Sequence, residues 1–95
     1  MKTRVLIEDQ VVGFIRRQPP EIRNRLRETL RAVENGEIFP EPLEDELEGL
    51  YKLKIDRIRT ILQSDASPSG PVFKAVFAER RKVVYELFSQ ILGLE

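Results

Sequence analysis

The sequence predicts an α+β domain, in which an N-terminal strand and a helical hairpin pack on a small, mostly antiparallel sheet with a C-terminal helix. Three observations indicate this class: apolar residues at helical spacing near the N-terminus, strict apolar–polar alternation beyond the middle of the chain, and an acidic, proline-containing segment between them. At 95 residues the chain is long enough for one modest core, so we expect residues 1–95 to form a single domain.

The N-terminal part predicts a strand followed by two helices. Residues 4–7 are a short β-like run, and residues 8–18 predict the first helix. Pro19 ends that helix, whereas Pro20 suits the first position of the next one, where the missing N–H costs nothing. Gly36 predicts a left-handed stop after the second helix. The residues at helical spacing that define this second helix are Ile22, Leu26, Thr29, Leu30 and Val33.

The C-terminal part predicts three strands and a last helix. Strands are expected at 48–55 and 57–63, joined by a tight turn, and at 71–78 after a turn-rich loop. Residues 79–93 predict a helix with an apolar stripe. The acidic segment at 37–48 is expected to link the two parts.

Two lysines lie side by side on one face of the first of these strands. Because successive side chains of a strand point to opposite faces, Tyr51, Leu53 and Ile55 share the apolar face, and Lys52 and Lys54 share the other. Neighbouring ammonium groups repel each other, and a polyanion lying across the face would relieve that repulsion.

The beginning of the last helix adds cations and a phenol to this picture. Arg80, Arg81 and Tyr85 follow the third strand, and together with the lysine pair they indicate a phosphate-directed site for which RNA is the expected polyanion. Each group also has a simpler interpretation when taken alone. A lysine pair on a strand is more often a solvated face, and a tyrosine on an amphipathic helix more often lies at the edge of a core.

The composition excludes several kinds of chemistry. The chain has no cysteine and no histidine, so it offers no disulfide, no thiolate nucleophile and neither of the commonest zinc ligands. We expect no metal and no cofactor. No apolar run approaches the roughly 20 residues of a membrane-spanning helix, and no signal-peptide pattern is present, so a cytoplasmic location is expected.

The formal net charge of zero conceals a segregation of charge. Residues 1–36 contain eight Lys or Arg and five Asp or Glu, and residues 49–95 contain the same numbers, so each part carries +3. Residues 37–48 contain six acids and no base, which gives −6. Because the local field governs the binding of a polyanion, the neutral total does not exclude nucleic acid, although a basic total would be more usual.

Three features occur in the same order in a known protein family. They are the helical hairpin that ends at Gly36, the strand Leu-Glu-Gly-Leu-Tyr-Lys-Leu-Lys, and the stretch Arg-Arg-Lys-Val-Val-Tyr. In this combination the chain resembles the RelE/ParE superfamily of bacterial type II toxins over nearly its whole length. The lysine pair and the C-terminal tyrosine look like the RelE branch, which consists of ribosome-dependent mRNA endonucleases. The ParE branch, which poisons DNA gyrase, shares the fold but generally lacks this set.

The resemblance implies a set of catalytic residues. The family has paired lysines, an arginine on the following strand and a tyrosine on the C-terminal helix, and each has a matching position here. It also has an arginine at the end of the last strand, where the alignment can place Glu79, Arg80 or Arg81; a glutamate there removes one phosphate-stabilising cation. The catalytic set implied by the resemblance is Lys52, Lys54, Arg59, Arg81 and Tyr85.

The resemblance also implies partners, namely a cognate antitoxin, the ribosome and mRNA. We expect the antitoxin to dock on the apolar stripe of the last helix, at Leu87, Phe88 and Ile91. Further cations are expected to contact RNA, with the stripe on the second helix facing ribosomal RNA. These RNA-binding candidates are Arg80, Lys82, Arg23, Arg27 and Arg31.

The implied reaction is attack by an RNA 2′-hydroxyl on the adjacent phosphate. Lys52 or Lys54 is the expected base, and Arg59 and Arg81 present planar donor forks to the phosphorane. Tyr85 either stacks on a splayed base or takes part in proton transfer, and the sequence leaves the assignment of base and acid open. The alternative function is a non-enzymatic one, a gyrase inhibitor or a protein that only pairs with an antitoxin, which the neutral charge favours.

Overall fold

The computed structural model of the chain describes residues 3–43, 47–68 and 70–92. It contains three helices and a five-stranded mixed sheet, which is the predicted α+β class. In chain order the elements are β1 (Arg4–Ile7), α1 (Asp9–Arg16), α2 (Pro20–Glu34), β2 (Glu41–Pro42), β3 (Leu50–Ile55), β4 (Ile58–Ser67), β5 (Gly70–Arg80) and α3 (Arg81–Leu92).

The sheet has the strand order β1-β5-β4-β3-β2. The pairs β2–β3, β3–β4 and β4–β5 are antiparallel, and β1 joins β5 in parallel at the edge of the sheet. The sheet is therefore mostly antiparallel, as predicted. Because β3, β4 and β5 lie side by side, their directly paired residues place their side chains on the same face.

Helices α1 and α2 cover one face of the sheet. The C-terminal end of α2 is closed as predicted at Gly36, which has φ +74°. The Glu37 N–H donates to the Ala32 carbonyl at 2.9 Å, and the Gly36 N–H donates to the Val33 carbonyl at 3.1 Å. The buried residues between these helices and the sheet are Val11, Phe14, Ile15, Leu26, Leu30, Val33, Leu53, Ile55, Ile58, Leu62, Ala75 and Ala78.

Helix α3 lies against β4 and β5 on the other face. Pairing between Lys52 and Ile61 places Ile61 on the lysine side of the sheet, and Ile61 is nevertheless only 3% exposed. Val84 of α3 is likewise buried. Helix α3 thus covers part of the sheet face that carries the lysines. No helix among the described residues is long and apolar enough to cross a membrane.

The structure corrects several predicted boundaries. The segment at 37–48, expected as a linker, contributes the short edge strand β2. Strand β3 begins at Leu50 and not at 48, because Gly49 has φ +95° and lies in a turn. Backbone pairing of β4 with β5 continues to Ser67, so most of the expected loop at 64–70 belongs to a hairpin. Its polar side chains suggested a loop, but ladder hydrogen bonds use backbone groups, whatever the side chains are.

Candidate active site

The lysine face of the sheet carries the predicted residues in two rows. In one row Lys54 pairs with Arg59, and Arg59 pairs with Glu79 on β5. In the next row Lys52 pairs with Ile61. The connection between β3 and β4 has only two residues, and its Asp56 adopts φ +54°, so Arg59 lies on the lysine side as the predicted tight turn requires.

The repulsion between the two lysines is offset within the chain itself. The carboxylate of Glu41 lies 3.8 Å from the Nζ of Lys52 and 3.5 Å from the Nζ of Lys54. It reaches them because β2 pairs Glu41 directly with Lys52. Glu41 therefore supplies part of the relief that we expected from a bound polyanion. Any phosphate that binds these lysines meets a carboxylate already beside them.

Arg59 is the buried cation of the site, with only 8% of its surface exposed. Its Nη1 donates to the Asp56 carbonyl at 2.9 Å and to the Ile58 carbonyl at 3.0 Å, which ties the guanidinium to the β3–β4 turn. Its Nε is buried and has no hydrogen-bond partner within the described part of the chain. A buried guanidinium with an unused donor is expensive for folding and suits an incoming oxyanion.

Arg81 and Tyr85 lie one turn apart on α3, where residues four apart share a face. The Arg81 guanidinium carbon lies 5.5 Å from the centroid of the Tyr85 ring, and the side chain of Tyr85 is 46% exposed. Hydrogen bonding from Arg81 lowers the pKa of Tyr85 below its usual value near 10, and the charges of Lys52, Arg81 and Arg59 act in the same direction. Partial burial opposes this shift but does not cancel it.

Three of the predicted catalytic cations, Lys52, Arg59 and Arg81, thus all lower the pKa of one phenol. The fourth, Lys54, lies in the Arg59 row, with its ammonium beside Glu41. Strand parity and the matching positions in the family predicted that these residues lie together. Nothing in the local pattern around Glu41 indicated that its carboxylate would join them, because the contact depends on a strand of two residues.

The three residues that the alignment allows at the family arginine position lie at the end of β5 and the beginning of α3. Glu79 occupies the site row opposite Arg59, and its Oε2 accepts a hydrogen bond of 2.9 Å from the backbone N–H of Arg80. Arg80 pairs with Ile58, which places its side chain on the opposite face of the sheet. Arg81 begins α3 and is the arginine that reaches Tyr85. The site therefore includes an acid at the end of β5 and draws its second arginine from the helix.

The arginine stripe on α2 is not brought to this site. Arg23, Arg27 and Arg31 belong to the helix that covers the opposite face of the sheet, and the last two lie beside Val5 and Ile7 of β1. Of the residues expected to bind an antitoxin, Leu87 is half-buried. The side chains of Phe88 and Ile91 lie outside the described residues.

No protein-family model matches the chain, and no curated protein matches it in sequence. Solved structures, by contrast, match the chain in fold. The free RelE toxin of E. coli, as an arginine-to-alanine double mutant, superposes with a TM-score of 0.68 at 12% identity and covers 100% of both chains. The chain has the RelE/ParE fold.

Two further structures show how far this likeness extends. The archaeal RelE–RelB complex of Pyrococcus horikoshii gives a TM-score of 0.64 at 22% identity, covering 85% of this chain and 97% of the other. A YoeB/ParE toxin of Agrobacterium tumefaciens gives 0.61 at 14% identity, covering 81% and 97%. The solved structures that share this fold thus include a free toxin and a toxin bound to its antitoxin.

Proposed function

We propose that the chain is the toxin of a type II toxin–antitoxin pair and that it cleaves mRNA on the ribosome. The observation that carries the proposal is the placement of Lys52 and Arg59 on one face of the sheet, next to the helix on which Arg81 lies against Tyr85, in a fold shared with RelE toxins. A face that gathers cations around an exposed phenol suits the phosphate of a nucleic acid. We propose RNA as that nucleic acid, because the proposed nucleophile is a 2′-hydroxyl, which DNA does not have.

In this proposal each residue has a separate task. Arg59, held rigidly by the turn, and Arg81, on the helix, donate to the nonbridging oxygens as charge develops on the phosphorane. Lys52 or Lys54, reacting as the amine, accepts the proton of the 2′-hydroxyl as its oxygen bonds to phosphorus, and the other lysine supplies positive charge beside it. Tyr85 is the group whose pKa the site lowers, so we assign to it the proton that the departing 5′-oxygen requires.

We propose that the natural partner is an antitoxin, as in the RelE–RelB complex with the same fold. Helix α3 ends the described chain and carries the stripe that includes Leu87, so a docked amphipathic segment there also restrains the Tyr85 helix. Co-purification with the antitoxin should survive Lys52→Ala and weaken with Phe88→Ala. If Phe88→Ala merely unfolds the domain, as judged by circular dichroism, this interface is wrong.

The alternative is a gyrase inhibitor without catalysis. Two observations favour it: the two acids in the lysine face, Glu41 and Glu79, and the likeness to a toxin named YoeB/ParE. A face that binds protein tolerates such mixed charge better than a face that binds phosphate.

Induced expression with two readouts separates these functions. Mapping of transcript ends on translated mRNA should show new ends within coding sequences while plasmid supercoiling stays normal. Altered plasmid topology with intact transcripts would select the gyrase inhibitor and overturn the proposal.

A further inference from the structure

An open groove of about 950 Å³ crosses the end of the sheet, between the helical hairpin and the beginning of α3. We call it the end groove. Five of the residues that line it are cations, and among the described lining residues none is aromatic. The five cations are Arg25, Arg57, Arg80, Arg81 and Lys82.

Three separate elements deliver these cations to one place. Arg25 comes from α2, and Arg57 comes from the β3–β4 turn. The other three follow one another at the junction of β5 and α3. This junction is fastened to the turn because the Arg81 N–H donates to the Arg57 carbonyl at 2.7 Å. This backbone hydrogen bond holds Arg57 next to the three cations of the junction and uses none of their side chains.

The positive charge of the end groove is largely uncompensated. Asp56 is the carboxylate that lines it, and Asp56 is already ion-paired with Arg25. Arg57, Arg80 and Lys82 form no ion pair with any residue that the structure describes. The first turn of α3 has no acidic residue, although the positive end of the helix dipole favours one. Apart from the Arg25–Asp56 pair, folding gains little from these cations, whereas a bound polyanion would be stabilised by those that are unpaired.

The end groove and the candidate active site share one residue. Arg81 lines the groove and also lies against the Tyr85 ring, so the groove begins next to the phosphate that we propose is held at Tyr85. A groove with cations and no stacking platform recognises the sugar–phosphate backbone and not the bases. Its volume is too large for a single phosphate and is comparable to that of pockets for drug-sized ligands, roughly 300–1,000 Å³.

We propose that the end groove binds the backbone of the single-stranded message next to the cleaved phosphate, without regard to sequence. The inference rests on the proposed function and deepens it, because it assigns a binding site to the nucleotides that flank the reaction. Arg57 and Lys82 are its defining contacts, since both are exposed and neither belongs to the catalytic set.

Binding to an uncleavable oligonucleotide tests this without any catalysis. A fully 2′-O-methylated single strand is titrated with the protein at several salt concentrations, and fluorescence anisotropy gives the affinity. The double variant Arg57→Gln/Lys82→Gln should bind about tenfold more weakly at low salt, and its salt slope should fall by about 1.4, since each single-strand phosphate contact contributes about 0.7. The loss should be the same for oligonucleotides of different sequence.

The matched control removes two charges elsewhere. Arg4→Gln/Arg16→Gln changes exposed positions on β1 and α1, outside the groove, and should leave the affinity unchanged. An equal loss in both double variants, or no loss in the groove variant, would overturn the inference. A loss seen only for binding to ribosomes without mRNA would assign the groove to ribosomal RNA and overturn its assignment to the message. If the wild-type protein binds the strand through the groove but cuts no mRNA, the proposed function fails while the groove stands.

Discussion

Replacing Glu41 with glutamine removes one negative charge from the lysine face and keeps the shape of the side chain. Glu41 lies within 4 Å of both lysine ammonium groups, but its side chain is 54% exposed, so each ion pair contributes only about 0.2–1 kcal/mol to folding. We therefore expect the variant to fold, with a loss of about 1 kcal/mol or less. A phosphate that approaches the lysines is repelled by this carboxylate, and two unit charges about 4 Å apart in water interact by about 1 kcal/mol.

Removal of this repulsion should tighten binding of an uncleavable single-stranded RNA about fivefold, which corresponds to about 1 kcal/mol. Fluorescence anisotropy at low salt measures the effect, and it should shrink as salt is added. Glu37→Gln is the matched control, because Glu37 is an exposed acid of the same segment and forms no ion pair with a described residue. If Glu41→Gln binds more weakly than wild type, the carboxylate positions the lysines for RNA and the competition argument is refuted.

Two further predictions concern the phenol and the core. In a spectrophotometric titration corrected with Tyr85→Phe, Tyr85 should ionise below pH 10, and Arg81→Gln should raise its pKa. Because the pKa of Tyr85 is lowered in the folded state, its ionisation stabilises the fold at alkaline pH. This contribution disappears as the pH falls through the folded-state pKa. An unchanged pKa in Arg81→Gln would contradict the assigned contact. Leu62→Ala, at a site with 0% exposure, should lower the free energy of unfolding in urea by about 2–5 kcal/mol, whereas Leu6→Ala, at 41% exposure, should cost far less; equal losses would contradict the described core.

Strand parity and helical spacing were sufficient to predict much of the fold. The spacing of Leu26, Leu30 and Val33 predicted α2, and all three are buried. Alternation along β3 predicted that Lys52 faces away from the core, because alternate side chains of a strand point to opposite faces and the other face is apolar. These patterns depend only on residues that are close in the sequence, so they can be recognised without the structure.

The remaining features depend on contacts between distant segments. Strand β2 consists of two residues that pair with the edge of β3, and two residues are too few to show a periodic pattern in the sequence. The position of Glu41 follows from that pairing. The end groove likewise needs α2 to bring Arg25 to the β3–β4 turn and the Arg81 N–H to bind the Arg57 carbonyl. A charge count along the chain therefore suggested basic halves without indicating where their cations meet.

A reconstituted translation reaction with a defined message tests whether the lysine face cleaves mRNA on the ribosome, as proposed. Primer extension should find cuts in the message on translating ribosomes and almost none in the same RNA without ribosomes, because the ribosome holds the message in the orientation that the reaction requires. Lys52→Ala/Lys54→Ala should abolish the cuts, whereas Lys74→Ala, on the same face but ion-paired with Asp65 at 3.9 Å, should leave them. Cleavage that persists in the double variant, or a wild-type protein that leaves the translated message intact, would contradict the account.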